Sequence, residues 1–246
     1  MRYLVLSDIH ANLEALEAVM DESSAAPFDR VLVLGDLVGY GADPNAVVDR
    51  VRAISGVMVI RGNHDKVAVG IEPSHSFNHQ ARAAIAWTAG ELSDDNTSYL
   101  RALPQGPVQA DPLVEICHGT PFDEDVYVFD ELDALRSLRA AARPLCLYGH
   151  THVPASFELT GENLRATRPR GVQTIVTLGP EQRVLVNCGS VGQPRDGDPR
   201  AAYGIVDTAN RTVTIRRVIY DVATAQTKIL AAGLPEVLAQ RLGVGR

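Results

Sequence analysis

A chain of 246 residues, 46% hydrophobic and 22% charged, has average globular composition and enough length to bury a large core. Its 30 acidic residues outnumber 23 basic ones, for a net charge of -7, which argues against a protein that coats nucleic-acid backbones, since that needs a concentrated basic surface. No stretch approaches the ~18 to 20 apolar residues that cross a bilayer, and the opening Met1 to Asp8 lacks the apolar length of a signal peptide. The expectation is one domain over residues 1–246, cytoplasmic, with no membrane partner and no bulk nucleic-acid binding. Cys117, Cys146 and Cys188 lie at or near the ends of apolar runs without paired short spacing, which predicts buried free thiols.

In chain order, Tyr3 to Leu6 reads as a buried strand, Asn12 to Met20 repeats apolar residues at helical spacing, and Val31 to Leu34 is a second strand. Pro44 opens a helix to Ile54, and Val57 to Ile60 is a third strand running into Gly62. These runs are apolar throughout, which predicts parallel strands covered on both faces. Pro73 to His79 reads as a loop. Ala81, Ile85, Trp87 and Leu92 mark a helix, whose short partner ends near Leu103. Strands follow at Leu113 to Cys117 and Leu145 to Tyr148, separated by a helix over Asp130 to Ala142. From Pro154 the pattern is mostly β, with strands at Ala155 to Leu159, Val172 to Leu178, Val184 to Asn187, Tyr203 to Val206 and Thr212 to Val218. Turns are predicted at Gly161-Glu162-Asn163 and Gly179-Pro180-Glu181. A final helical segment from Ala223 to Leu242 breaks at Gly233-Leu234-Pro235.

The chemistry sits where the strands end. Ser7-Asp8-Ile9-His10, Gly35-Asp36, Gly62-Asn63-His64-Asp65, His118-Gly119 and Gly149-His150-Thr151-His152 hold five of the seven histidines. In open α/β sheets ligands gather beyond the carboxyl ends of strands. Asp8 and His10 are two apart, so in extended backbone their side chains share a face. The Asp36 carboxylate has two oxygens and can bridge two cations. A mixed set of carboxylate, amide and imidazole donors suits Mn, Fe, Zn, Ni or Co better than Ca or Mg, and the lack of a cysteine pair argues against a structural zinc knot.

Asp-x-His, Gly-Asp, Gly-Asn-His-Asp, His and Gly-His-x-His, in this order from Asp8 to His152, resemble the calcineurin-like metallophosphoesterase superfamily. The resemblance implies an α/β fold of two packed β-sheets flanked by helices. It also implies two transition-metal ions: one held by Asp8, His10, Asp36 and His152, the other by Asp36, Asn63, His118 and His150. His64 is then a catalytic residue, contacting the phosphate and protonating the leaving oxygen. The implied reaction is hydrolysis of phosphomonoester or phosphodiester bonds by water activated between paired cations, which also clamp the phosphoryl oxygens.

Departures from the family pattern bear on the substrate. Asp36 is followed by Leu37-Val38-Gly39-Tyr40-Gly41, so Gly39 replaces the acid that orients the catalytic histidine, and Tyr40 replaces a phosphate-gripping arginine. This weakens the alternative of a protein Ser/Thr phosphatase. It is more similar to the compact bacterial and archaeal phosphoesterase branch, which implies a small phosphate-ester substrate. The run Asn187 to Arg195 resembles a loop of that branch, and Arg195 is either a phosphate grip or a surface arginine in a Gly/Pro-rich turn. Asn12 is either a phosphate contact or part of the turn into the first helix. Asp65 is expected to support its turn, and Phe77, Trp87 and Phe122 to pack in core or lid. His75 and His79 lie outside every motif. A metal-bearing interaction scaffold without catalysis is the alternative function, but such scaffolds commonly lose a ligand or the histidine of the Gly-Asn-His block, and here all are kept.

Overall fold

Alternation along the first strand sets up the architecture. In β1 (Arg2–Leu6), Tyr3 and Val5 face one buried layer while Leu4 and Leu6 face another, as the two-residue period of a strand requires. Full burial of such side chains is worth about 1.5 to 3 kcal/mol each, so a strand covered on both sides reads as a continuous apolar run. The computed structural model describes residues 1–25 and 27–246.

β1 lies beside β2 (Arg30–Val33), which in turn pairs with β3 (Met58–Val59), all parallel. The crossovers carry helices α1 (Leu13–Ser24) and α2 (Pro44–Arg52). On the other side of β1 the late strands β11 (Ala201–Asp207), β12 (Thr212–Val218) and β9 (Gln173–Thr177) add antiparallel, completing a six-stranded sheet. A second six-stranded sheet has the order β4 (Val108–Gln109), β5 (Val114–Ile116), β6 (Leu145–Tyr148), β10 (Gln182–Asn187), β7 (Ala155–Thr160), β8 (Asn163–Thr167), and its β5, β6 and β10 are parallel.

The sheets pack through Tyr3, Val5, Leu32 and Leu34 on one side and Val114, Ile116, Leu145, Leu147, Val184 and Val186 on the other. The outer face of the first sheet is covered by α1, α2, α4 (His79–Glu91), α5 (Asp94–Ala102), α7 (Val222–Ala231) and α8 (Glu236–Val244); that of the second by α6 (Glu131–Ala140). Two packed sheets flanked by helices is the architecture expected from the sequence. Side-chain caps start several helices: Asn78 accepts from Ala81 N–H, Ser93 from Asn96 N–H, and Asp130 from Leu132 and Asp133 N–H. The break at residues 233–235 separates α7 from α8.

Four elements differ from expectation. Asn163 begins strand β8 rather than only closing a turn; β8 is a largely exposed sheet edge, so it needs no apolar run. β4 is two residues long, too short for a pattern. The Gly-Asn-His-Asp block opens a short helix, α3 (Asn63–Ala68), and the 73–79 loop contains a 3-10 turn at Ser74–Ser76. Cys117, Cys146 and Cys188 are buried and free. Among the described residues no helix is long and apolar enough to cross a membrane.

Candidate metal centre

The parallel strands of both sheets deliver their carboxyl ends to one place, where the backbone turns in an unusual way. Asp8, His10, Asp36, His150 and His152 all have left-handed backbone, with φ of 52°, 50°, 53°, 66° and 59°. Such conformations cost of order 1 to 3 kcal/mol each in non-glycine residues and persist only where the surroundings hold them. Here the holding contacts are backbone bonds between the loops: Asp8 N–H donates to Gly35 O at 3.1 Å, His10 N–H to Asp36 O at 3.0 Å and Gly149 N–H to His118 O at 2.8 Å. The His150 N–H donates to the Asp8 carboxylate at 3.0 Å. Gly62 is required by close approach, since a β-carbon there would lie 2.1 Å from Asp36 Oδ1.

Two buried clusters result. Donor atoms of Asp8, His10, Asp36 and His152 lie within 4.8 Å of one another, and so do those of Asp36, His118 and His150. Asp36 belongs to both, its Oδ2 standing 3.5 Å from His10 Nε2 and 3.4 Å from His118 Nε2. Asn63 Oδ1 lies 3.2 Å from His118 Nε2, placing the amide oxygen beside the second cluster. The seven residues expected to bind metal are therefore brought together.

Hydrogen bonds on the far side of each ring orient the lone pairs. His10 Nδ1–H donates to Val38 O at 3.0 Å, His118 Nδ1–H to Leu34 O at 2.7 Å, His152 Nδ1–H to Gln193 O at 2.7 Å and His150 Nε2–H to Asp125 O at 3.1 Å. A carbonyl only accepts, so the opposite nitrogen of each neutral ring carries a bare lone pair. Nε2 of His10 and Nε2 of His152 then face each other at 3.0 Å with no proton between them, and both face carboxylate oxygens. Such an arrangement of acceptors is repulsive by itself and becomes attractive around a cation. The donor set fits a pair of transition-metal ions.

Electrostatics agree for most of the rings. Burial pushes His10 down to about 4 and His150 down to about 3, and holds His64 and His152 well below the ordinary histidine range, so these rings are neutral at neutral pH. His118 differs: burial opposes its charge, but the Asp36 carboxylate, a hydrogen bond to it and Asp8 outweigh burial and raise it to about 10. A proton and a metal ion thus compete for the same His118 lone pair. Asp65 does not join the clusters. Its Oδ2 accepts Gly62 N–H at 2.9 Å and its Oδ1 accepts Leu37 N–H at 2.8 Å, tying α3 to the Gly35-Asp36 loop.

His64 sits beside the clusters, its backbone N–H on Asp36 Oδ1 at 2.8 Å. Its ring packs against Tyr40 at 4.5 Å, Phe77 at 4.5 Å and His10 at 4.9 Å between centroids. Arg195 lies over Tyr40, its guanidinium carbon 5.6 Å from the ring centroid, and Gln193 Oε1 accepts from both Nη2 at 2.8 Å and Nε at 3.3 Å. Asn12 is otherwise engaged: its Oδ1 accepts Ala15 N–H at 3.1 Å as the cap of α1, and its Nδ2 donates to Gly192 O at 2.8 Å. These bonds match its role in the turn and leave its amide committed. His75 and His79 are exposed and join neither cluster.

The model for the calcineurin-like phosphoesterase superfamily domain matches residues 1–211. The chain belongs to this superfamily. It is 35% identical to an uncharacterized protein of Methanocaldococcus jannaschii, over 98% of this chain and 97% of that one. The crystal structure of a metallophosphoesterase from Sphaerobacter thermophilus superposes with a TM-score of 0.87 at 38% identity, covering 100% of this chain and 99% of the other. A hypothetical protein from Pyrococcus horikoshii shares the fold, with a TM-score of 0.80 at 20% identity and coverage of 100% and 98%.

Within the superfamily frame, the structure also shows supporting roles that the motifs do not carry. Tyr127 stacks on the His150 ring at 3.8 Å, with an interplanar angle of 23°. Lys66, in α3 and 1% exposed, bonds Asp125 at 2.6 Å, Glu72 at 3.0 Å and Glu124 at 3.2 Å, anchoring the loop that carries Tyr127. Asn187 Nδ2 donates to Gly149 O at 2.7 Å and to Thr151 Oγ1 at 3.0 Å, bracing the Gly-His-x-His turn. Asn187 opens the Gly-rich run that ends at Arg195, a usable signal; Lys66 and Tyr127 carry none.

Proposed function

We propose that this protein is a two-metal phosphoesterase that hydrolyses small phosphomonoesters or phosphodiesters. The observation that carries the reading is the position of Asp36 Oδ2, shared by two buried donor clusters whose histidine lone pairs are already aimed inward. Asp8, His10, Asp36 and His152 would hold one ion, and Asp36, Asn63, His118 and His150 the other. Ions of the Mn, Fe, Zn, Ni or Co class, when bound, supply Lewis acidity toward the phosphoryl oxygens and lower the pKa of water.

The chain's own residues do the rest. Carbonyl acceptors on Val38, Leu34, Gln193 and Asp125 fix the ring orientations, so the site is assembled before substrate arrives. Arg195, steadied by Gln193 and Tyr40, offers its planar fork to a phosphate oxygen in place of the arginine absent at position 40. The His64 ring is neutral, with Nδ1 buried without a partner; the charge of an anionic phosphate bound beside it would favour the protonated ring, from which Nε2 passes a proton to the leaving oxygen. Hydrolysis breaks the bond from phosphorus to that oxygen, forms one to the water oxygen, and returns an alcohol and a phosphate. Asn12, committed as a helix cap, supports the loop rather than the substrate.

Metal analysis of the purified protein, with p-nitrophenyl phosphate and bis-p-nitrophenyl phosphate as substrates under added Mn, tests this. Turnover of at least one ester is expected. Bound metal with no turnover of either would make the protein a scaffold instead.

A further inference from the structure

Phe77 and Tyr127 come from separate segments, the 73–79 loop and the loop before α6, yet each packs on a different histidine of the centre. Phe77 lies 4.5 Å from His64 and Tyr127 lies 3.8 Å from His150. Both rings are half-buried and line one pocket of about 300 Å³, together with Asn63, His150, Lys66 and Asp125. That volume is at the lower end of small-molecule sites. The pocket is therefore lined by Asn63 and His150, assigned to one ion, and by Phe77, which packs on the ring assigned to the leaving oxygen.

Its charge narrows what can enter. Lys66, the cation on its wall, is held by the carboxylates of Glu72, Glu124 and Asp125, and Arg61 bonds Glu124 at 2.9 Å. Of the charged residues that line it, Glu72 and Asp125 outnumber Lys66, whose ammonium is already taken, which leaves the rim acidic. A leaving group carrying further phosphates or carboxylates would meet repulsion there, whereas a flat ring would meet the Phe77 ring and the edge of Tyr127, whose two faces are stacked on His150 and Phe129.

We propose that this pocket receives the leaving group of the substrate and selects a flat, uncharged aromatic group of nucleobase size through Phe77 and Tyr127. The inference rests on the phosphoesterase reading for the words "leaving group", but not for the aromatic preference itself. It makes Phe77 and Tyr127 specificity residues and disfavours polyphosphate chains and phosphoproteins.

The test compares Mn-loaded wild type with Phe77→Leu and Tyr127→Leu on 2-naphthyl phosphate and ethyl phosphate. Comparing the ratio of kcat/KM for the two esters between proteins cancels their intrinsic reactivities, and a disturbed His64 would raise the aryl-to-alkyl ratio, since ethanol needs its proton far more than 2-naphthol does, opposite to the fall expected from a lost aromatic contact. The aryl-to-alkyl ratio should fall about tenfold in each variant, carried by KM for the aryl ester, as loss of an aromatic contact predicts. An unchanged ratio would overturn the proposal and leave the rings as positioning residues for the histidines. Binding of 2-naphthol, followed by its fluorescence anisotropy, reads the pocket without turnover. Wild type should bind it and the variants about tenfold more weakly; no binding to wild type would overturn the proposal. Binding of 2-naphthol with neither these monoesters nor bis-p-nitrophenyl phosphate hydrolysed would remove the phosphoesterase reading and keep the aromatic pocket.

Discussion

Gly39 lies flat against His64: a β-carbon at Gly39 would come within 2.5 Å of His64 Nδ1. The space that an orienting acid would need is closed by the histidine itself, and Nδ1 is left buried without a partner. His64 is held by ring packing against Tyr40, Phe77 and His10 in place of a hydrogen bond. Gly39→Ala should push the ring off its seat and also strain a backbone with φ of 89°. We expect kcat to fall by roughly tenfold or more, as displacement of a proton-transfer group by a fraction of an ångström does, while elemental analysis finds metal content unchanged.

His64→Ala separates proton delivery from metal binding. No side-chain atom of His64 belongs to either donor cluster, so both ions should remain. Turnover should fall by about 10² to 10⁴, the usual share of a general acid. Loss of both ions in this variant would show that His64 had been given the wrong role.

Asp36→Asn should do the opposite. The amide can still accept the His64 N–H at the Oδ1 position, but the charge shared by both clusters is gone. Bound metal should drop at both positions, and turnover should fall by roughly three orders of magnitude or more. Retention of full metal stoichiometry would contradict the bridging assignment.

Chelation should cost stability as well as activity. The facing lone pairs of His10 and His152, with Asp8 and Asp36 beside them, are buried and mutually repulsive. Ligand linkage at about a hundredfold excess over Kd is worth about 2.7 kcal/mol, so removing one ion should lower Tm by about 5 to 10 °C for a chain of this size. Calorimetry with and without a chelator reads the shift, and re-addition of Mn should restore it.

The parts of this molecule legible in its sequence share a physical cause. β1, β2 and β6 are buried on both faces, so each is a continuous apolar run, and the metal donors follow those runs within a few residues. β8 escaped because one face of an edge strand meets water, and Asn163-Leu164-Arg165 carries no apolar repeat. Asn187 was visible in the Gly-rich run it opens. Lys66 and Glu124 were not visible as a pair, because a contact spanning 58 positions leaves no local spacing to read. Phe77 is a lone aromatic in a loop, and only the folded chain sets it against His64.

The left-handed turns at Asp8, His10, Asp36, His150 and His152 carry a further implication for selection. Glycine would relax the main chain at each of them, so the changes that most ease the scaffold are also those that empty the centre. A laboratory search for heat-hardy variants that ignored turnover would be drawn toward these five positions and would harvest sturdy, idle proteins.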